Sequence, residues 1–250
     1  MKIKKISRSC IKNIFKKYYK EFAKNNGFIF IIGTMRTGST LLVHLLSQKN
    51  EVEAVGENYK SYSKEEDLAE LASEISVVNR LPPFGRKVFI DKILHNRFEI
   101  SNNIINKRNI KKIFLVREPE HVIQSMINMD ANHKYSNSVK ECRNYYLNRM
   151  KKITEYIENT QKNKIILTYK DITEKTDKTL QILGSFINKS KMKKKYETYW
   201  HTGKPGVGDP GEKIKSGKIK KNKKSIDIEV PGIKACKNYF RKIYSMRTVR

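Results

Sequence analysis

Cysteine is scarce. The three residues, Cys10, Cys142 and Cys236, stand far apart and are odd in number. With no CxxC pair and no Cys/His cluster, neither a disulfide framework nor a zinc site is indicated, no metal is expected, and a reducing cytoplasm fits. Long apolar runs are also missing. Nothing approaches the ~20 residues that cross a bilayer, and the mean hydropathy of −0.66 describes a soluble chain. The first 22 residues, MKIKKISRSCIKNIFKKYYKEF, lack the continuous apolar core of a secretory signal. Acidic residues are few: 25 against 53 Lys and Arg, a net charge of +28. Such a surplus suits polyanionic partners, namely nucleic acid, phosphorylated ligands or acidic lipid. No RNP aromatic pair, zinc finger or clear helix-turn-helix accompanies it, so no specific nucleic acid is expected. The same Lys, Asn and Ile richness follows from AT-biased coding, and most of the charge reads as solvated surface.

What is present is concentrated in residues 28–46, FIFIIGTMRTGSTLLVHLL. Phe28 to Ile32 reads as a buried strand. Order resumes near Ser39 as an apolar helix. Between them Gly33, Arg36, Thr37, Gly38, Ser39 and Thr40 form a strand–turn–helix unit, whose helix N-terminus offers unpaired N–H groups and the positive end of a dipole. The spacing Gly33–x4–Gly38 is that of a nucleotide P-loop, yet Ser39 stands where the lysine would follow. The turn is suited to phosphate but lacks the group that reaches the β/γ-phosphates of ATP or GTP.

At 250 residues the chain suits one α/β domain with appendages. Residues 1–26 form a basic amphipathic helix, with apolar residues at Ile3, Ile6, Cys10, Ile14, Tyr18 and Phe22. One reading packs this helix on the domain. The other rests it on anionic lipid as a peripheral membrane contact. Residues 27–250 form the domain proper. Short strands are expected at 52–58, 87–91, 110–116 and 164–169. Helices are expected at 63–79 (with a Ser63/Glu66 capping box), 97–108, from Pro119 to Met129, at 138–159, 179–187 and 232–246. Residues 201–224 read as a Gly- and Lys-rich loop. Alternating strands and helices predict a three-layer α/β sandwich with a central parallel sheet, and its ligand at the carboxyl ends of the strands. Arg36, Glu57, Lys92 and Arg117 each follow or end such a strand.

These segments, taken in order, resemble the sulfotransferases that use 3′-phosphoadenosine 5′-phosphosulfate (PAPS). GTMRTGSTLL is similar to the family's 5′-phosphosulfate loop, usually close to G-x-P-R-S-G-T-T-x-L. FIDKILHN is similar to the D-K-x-P-x-N strand end of bacterial members. FLVREPEHVIQS matches the 3′-phosphate motif, V-R-x-P-x-D-V-x-x-S, and ILTYKDITEKTDKTLQILGSFI the L-x-Y-E-D-L segment. HTGKPGVGDP resembles the glycine-rich closing loop more distantly. The likeness spans about residues 28–210. Met35 stands where proline is common, His121 replaces an aspartate, and Ile93–Leu94 replace a Thr-Pro pair.

The resemblance implies a P-loop-like fold and transfer of a sulfuryl group from PAPS to a hydroxyl of a saccharide, glycolipid or small molecule, releasing PAP (adenosine 3′,5′-bisphosphate). The 5′ end would lie on Arg36, Thr37, Gly38, Ser39 and Thr40, with Arg36 stabilising the bridging oxygen as the S–O bond breaks. Arg117 and Ser125 would hold the 3′-phosphate and Tyr169 would lie beside the adenine. Gly203 and Lys204 would close over the nucleotide, and Lys92 would face the transferring sulfate. The general base is Glu57 or His95. Glu57 is preferred because the loop and the Asp91–Lys92 segment look bacterial in type. Tyr59, Tyr62, Tyr135, Tyr145 and Tyr146 are expected to line the acceptor pocket. Two rivals stand beside this reading. One is a P-loop kinase or NTPase, for which Asp91 is the candidate metal-binding aspartate. The other is a basic nucleic-acid- or membrane-binding protein without catalysis.

Overall fold

The computed structural model describes residues 25–48, 51–81, 85–129, 138–189, 191–198, 212–220 and 226–249. The expected helix at 1–26 (but for its last two residues), most of the 201–224 loop, Gly203, Lys204 and Tyr135 lie outside the described residues.

Five parallel strands form one sheet in the order β2-β3-β1-β4-β5. They are β1 (Gly27–Gly33), β2 (Val52–Ala54), β3 (Val88–Ile93), β4 (Ile110–Val116) and β5 (Lys164–Thr168). The central strand is apolar throughout because both faces are covered. Phe28, Phe30 and Ile32 enter one core with Phe89, Phe114 and Val116, whereas Ile29 and Ile31 enter the other with Ile90, Ile113 and Leu115. The first core is closed by α2 (Glu65–Val78), α3 (Asn102–Ile105), α4 (Pro119–Ile127), α5 (Val139–Asn159) and, beyond a short α8 (Glu212–Lys215), by α9 (Lys234–Ser245). The second is closed by α1 (Ser39–Leu46), α6 (Tyr169–Glu174) and α7 (Thr176–Phe186), with Ile214 of α8. This is the three-layer α/β arrangement expected. The chain reverses its direction of winding beside β1, so the carboxyl ends of β1, β3 and β4 surround a crevice.

Local chemistry sets the helix starts. Pro119 opens α4 at a first-turn position, where its missing N–H is not needed. Ser138 caps α5 by accepting from the Glu141 N–H at 3.2 Å. Thr168 and Asp171 cap α6 reciprocally, which moves Tyr169 from the expected strand end to the first residue of a helix. At α2 the reciprocal acid is Asp67, not Glu66: its Oδ2 accepts from the Ser63 and Lys64 N–H groups. Within the expected 97–108 helix only Asn102–Ile105 is α-helical. The Glu99 carbonyl and the Ser101 N–H are spent on Tyr62, and the Ile100 N–H goes to the Tyr156 hydroxyl, so this stretch is extended.

One buried charge lies at the far end of the sheet. Lys112 is 1% exposed and donates to the Ile110 carbonyl at 3.2 Å. Burial, with the charge of Lys164 adding, pulls its ammonium from 10.5 to about 8. The unfolded chain therefore holds more protons than the folded one between these values. This group's effect makes stability rise with pH across that window and is most unfavourable below it. Lys112→Met is expected to raise Tm at pH 7, with the gain shrinking as pH passes from about 8 to 10.5. A lower Tm at pH 7 would mean that the lysine stabilises the fold.

Candidate active site

The first receptor is the turn after β1. A Cβ on Gly33 would come within 2.5 Å of the Leu115 carbonyl, so only glycine lets β1 lie this close to β4 at its exit. Arg36 (φ 64°) and Gly38 (φ 87°) adopt left-handed backbone and curl the turn. Gly38 is the N-cap of α1. Its N-cap makes no side-chain capping bond and its first turn holds no acid, so among the described residues nothing offsets the N–H groups and dipole at this end. Thr37 departs from expectation. Its hydroxyl donates inward to the Thr34 carbonyl at 2.8 Å and is fully buried, so its share in holding an anion falls to its N–H. Ser39 and Thr40 occupy the first two helical positions.

The second receptor is joined to the first. Arg117, at the exit of β4, is mostly buried and donates from Nη1 to the Arg36 carbonyl at 3.0 Å. Its guanidinium lies 4.3 Å from the centroid of the Tyr169 ring. That ring in turn covers the loop: a Cβ on Gly38 would be 2.8 Å from Tyr169 Cδ2. Burial lowers the Arg117 pKa, but a guanidinium stays charged at any ordinary pH. The Arg36 side chain points the same way, with Nε donating to Ser125 Oγ at 3.0 Å. Arg36, Ser125, Arg117 and Tyr169 thus form one connected group beside the loop.

The third feature is a carboxylate that gathers both candidate bases. Glu57 sits between Lys92, 3.2 Å from Oε1, and His95, whose Nε2 is 3.3 Å from Oε2. Burial by itself would raise its carboxyl; the hydrogen bond from His95 and the charge of Lys92 more than offset this and hold it below the ordinary 4.5. Asp91 lies beneath. One of its oxygens accepts from Asn58, at 3.2 Å from the backbone N and 3.0 Å from Nδ2. The other accepts from the Tyr62 hydroxyl at 2.6 Å. Burial raises its pKa while these bonds oppose the rise. Asp91 therefore fastens the segment next to Glu57, and its oxygens are committed to protein donors rather than open to a magnesium ion. Among the described residues no group of three or more His, Cys, Asp or Glu could hold a metal, and no helix is long and apolar enough to cross a membrane.

What aligns these parts is α5. Arg149 is 0% exposed. Its guanidinium donates to the Gly33 carbonyl at 2.8 Å, to that of His95 at 3.3 Å, and to that of Ile93. Tyr145 donates to the Leu94 carbonyl and accepts from the Met35 N–H at 3.2 Å; Tyr146 donates to the Arg117 carbonyl at 2.8 Å. Lys152 donates to the Asn96 carbonyl at 3.0 Å. Tyr62, Tyr145 and Tyr146 are accordingly core residues that brace the site from behind, not the acceptor lining expected of them. Of the described tyrosines in that group, Tyr59 alone reaches solvent. Arg149 carries one legible sign: it is a cation inside the buried helical stripe Cys142, Tyr145, Tyr146, Ile153.

Comparison with known proteins accords with this geometry. The family model described as Sulfotransferase domain matches residues 27–204. A sulfotransferase domain from the curacin biosynthetic pathway superposes with TM-score 0.59 at 16% identity, over 88% of this chain and 98% of that one. The sulfotransferase domain of the Synechococcus PCC 7002 olefin synthase does so with TM-score 0.53 at 13% identity, over 89% and 94%. A search of curated proteins finds no match.

Removing the Arg149 guanidinium would strand buried carbonyls, each at a cost of about 1–3 kcal/mol. Arg149→Leu is expected to lower unfolding free energy by at least about 2 kcal/mol in urea titration. A change under about 0.5 kcal/mol, the range of a neutral surface substitution, would show that the three carbonyls do not depend on it.

Proposed function

The chain belongs to the sulfotransferase family, and from that premise we propose that it transfers a sulfuryl group from PAPS to a hydroxyl, releasing PAP. The observation that carries the reading is the contiguity of Arg36, Ser125 and Arg117 with an uncapped helix N-terminus, which offers one nucleotide two anion receptors at once. The 5′-phosphosulfate lies on the N–H groups at the start of α1, beside the hydroxyls of Ser39 and Thr40. Arg117 takes the 3′-phosphate in a guanidinium fork, with Ser125 alongside. Tyr169, already stacked under Arg117, flanks the adenine.

Sulfuryl transfer moves negative charge onto the oxygen bridging sulfur and the 5′-phosphate. Arg36 and Lys92 stabilise that charge as the S–O bond breaks. Arg36 Nε donates to Ser125 Oγ, so the loop arginine and the serine assigned to the 3′-phosphate are in direct contact. The acceptor hydroxyl must lose its proton as its oxygen attacks. Glu57 is ionised at neutral pH, and Lys92 and His95 fix both its oxygens, so it accepts that proton with His95 as its partner. Glu57 is the base in this reading, and His95 orients its carboxylate. The acceptor is a hydroxyl of a saccharide, glycolipid or small molecule.

Calorimetry tests the donor side. PAP should bind without added metal, and Arg117→Ala should cost about 1.5–3 kcal/mol of that binding. Equal affinity for 5′-AMP would remove the 3′-phosphate assignment. Kinetics test the base. Glu57→Gln should lower kcat by about 10²-fold or more while PAP affinity holds, and the acid limb of the wild-type rate profile should fall below pH 4.5. Should His95→Ala cost more than Glu57→Gln, the base is His95.

A further inference from the structure

Beside Glu57 stands a set of side chains with no part in bond making, the nearest of which, Tyr59, is hydrogen-bonded to the Glu57 carboxylate. Tyr59 is 45% exposed and takes a left-handed backbone, φ 50°, uncommon for a residue with a side chain. It keeps that conformation because the preceding Asn58 is tied to buried Asp91 through its N–H and side chain. Its ring centroid lies 5.6 Å from that of His95, which touches the catalytic carboxylate, and 6.1 Å from that of Phe98. Over this aromatic corner stands Arg97, its guanidinium carbon 4.7 Å from the centroid of Phe98 and 6.0 Å from that of Tyr59.

Charge pairing singles out Arg97. Around the same corner Lys92 is matched by Glu57, Lys60 by Glu70 at 2.8 Å, and Lys152 by Glu99. Arg97 is exposed and meets no carboxylate among the described residues; its described contacts are the two rings, which attract the guanidinium without neutralising it. A ring platform beside a carboxylate and an imidazole suits a ligand with an apolar face and hydroxylated edges. An exposed guanidinium next to it, with no carboxylate partner among the described residues, suits a ligand that also carries an oxyanion, which the guanidinium can grip by two hydrogen bonds. A purely apolar acceptor would desolvate Arg97 with nothing in return.

Building on the sulfotransfer reading, we propose that the acceptor is an acidic saccharide, whose ring lies against Tyr59 and whose anionic substituent pairs with Arg97. Arg97 then sets specificity, with no part in bond making.

The test uses the full chain saturated with PAP, titrated by calorimetry with methyl glucuronide and with its neutral amide, methyl glucuronamide. These probes share ring and shape and differ in charge. The wild type should bind the acid at least about tenfold more tightly than the amide, the span of one charge-assisted hydrogen bond. Arg97→Gln should bring the ratio close to one while leaving affinity for the amide and for PAP unchanged. Tyr59→Ala should weaken both probes and preserve their ratio. Equal binding of acid and amide by the wild type, binding of neither at millimolar concentration, or a preference that survives Arg97→Gln overturns the proposal. Loss of PAP binding in the wild type would instead strike the sulfotransfer reading, because Arg97 lies outside the nucleotide receptors.

Discussion

A buried guanidinium held by backbone carbonyls organises this molecule. Arg149 is wholly removed from water, and its charge is met by three backbone carbonyls at the exits of β1 and β3. Exits of parallel strands are where the ladder ends and carbonyls lose their partners, so a planar group with several donors is well matched to them. Burial lowers its pKa, although not enough to discharge a guanidinium. Tyr145, Tyr146 and Lys152 extend the same service to Leu94, Arg117 and Asn96. One helix face therefore dictates where the β1–α1 turn, the His95 segment and the exit of β4 lie relative to one another.

From that bracing the electrostatics follow. Around the crevice Arg36, Arg117 and the start of α1 present positive potential that no acid in the first turn cancels. Glu57 is an acidic group beside them, kept ionised by Lys92 and His95 on separate oxygens. Asp91 contributes differently: sealed beneath, it anchors Asn58 and thereby both Glu57 on one side and Tyr59 on the other. A carboxylate that looks like a metal ligand by its place at a strand end is a structural fastener here.

The parts of this picture that depend on backbone geometry could be read from residues alone. Phe28–Ile32 is continuously apolar because both sheet faces are buried, and Gly33 and Gly38 are required where strands crowd and where φ is positive. Pro119 marks its helix for an equally local reason. Tertiary facts were not legible. Glu57 and His95 look like competing bases along the chain, yet they converge because β2 and β3 are neighbours. Tyr62, Tyr145 and Tyr146 carry polar tips that serve a pocket or a core equally well; which one depends on the carbonyls that neighbouring elements leave unpaired. The 97–108 helix failed because pairing with Tyr62 outcompeted local helical spacing.

In the proposed mechanism the α1 start and the Arg117 group are two halves of one receptor for a single nucleotide. A crystal structure of the protein with PAP tests it most directly. The 5′-phosphate should lie on the N–H groups of residues 38–40 and the 3′-phosphate within hydrogen-bonding distance of Arg117 and Ser125, with the adenine beside Tyr169. A nucleotide that engages one of these groups while its other phosphate points into solvent, or that binds elsewhere on the basic surface, would contradict it.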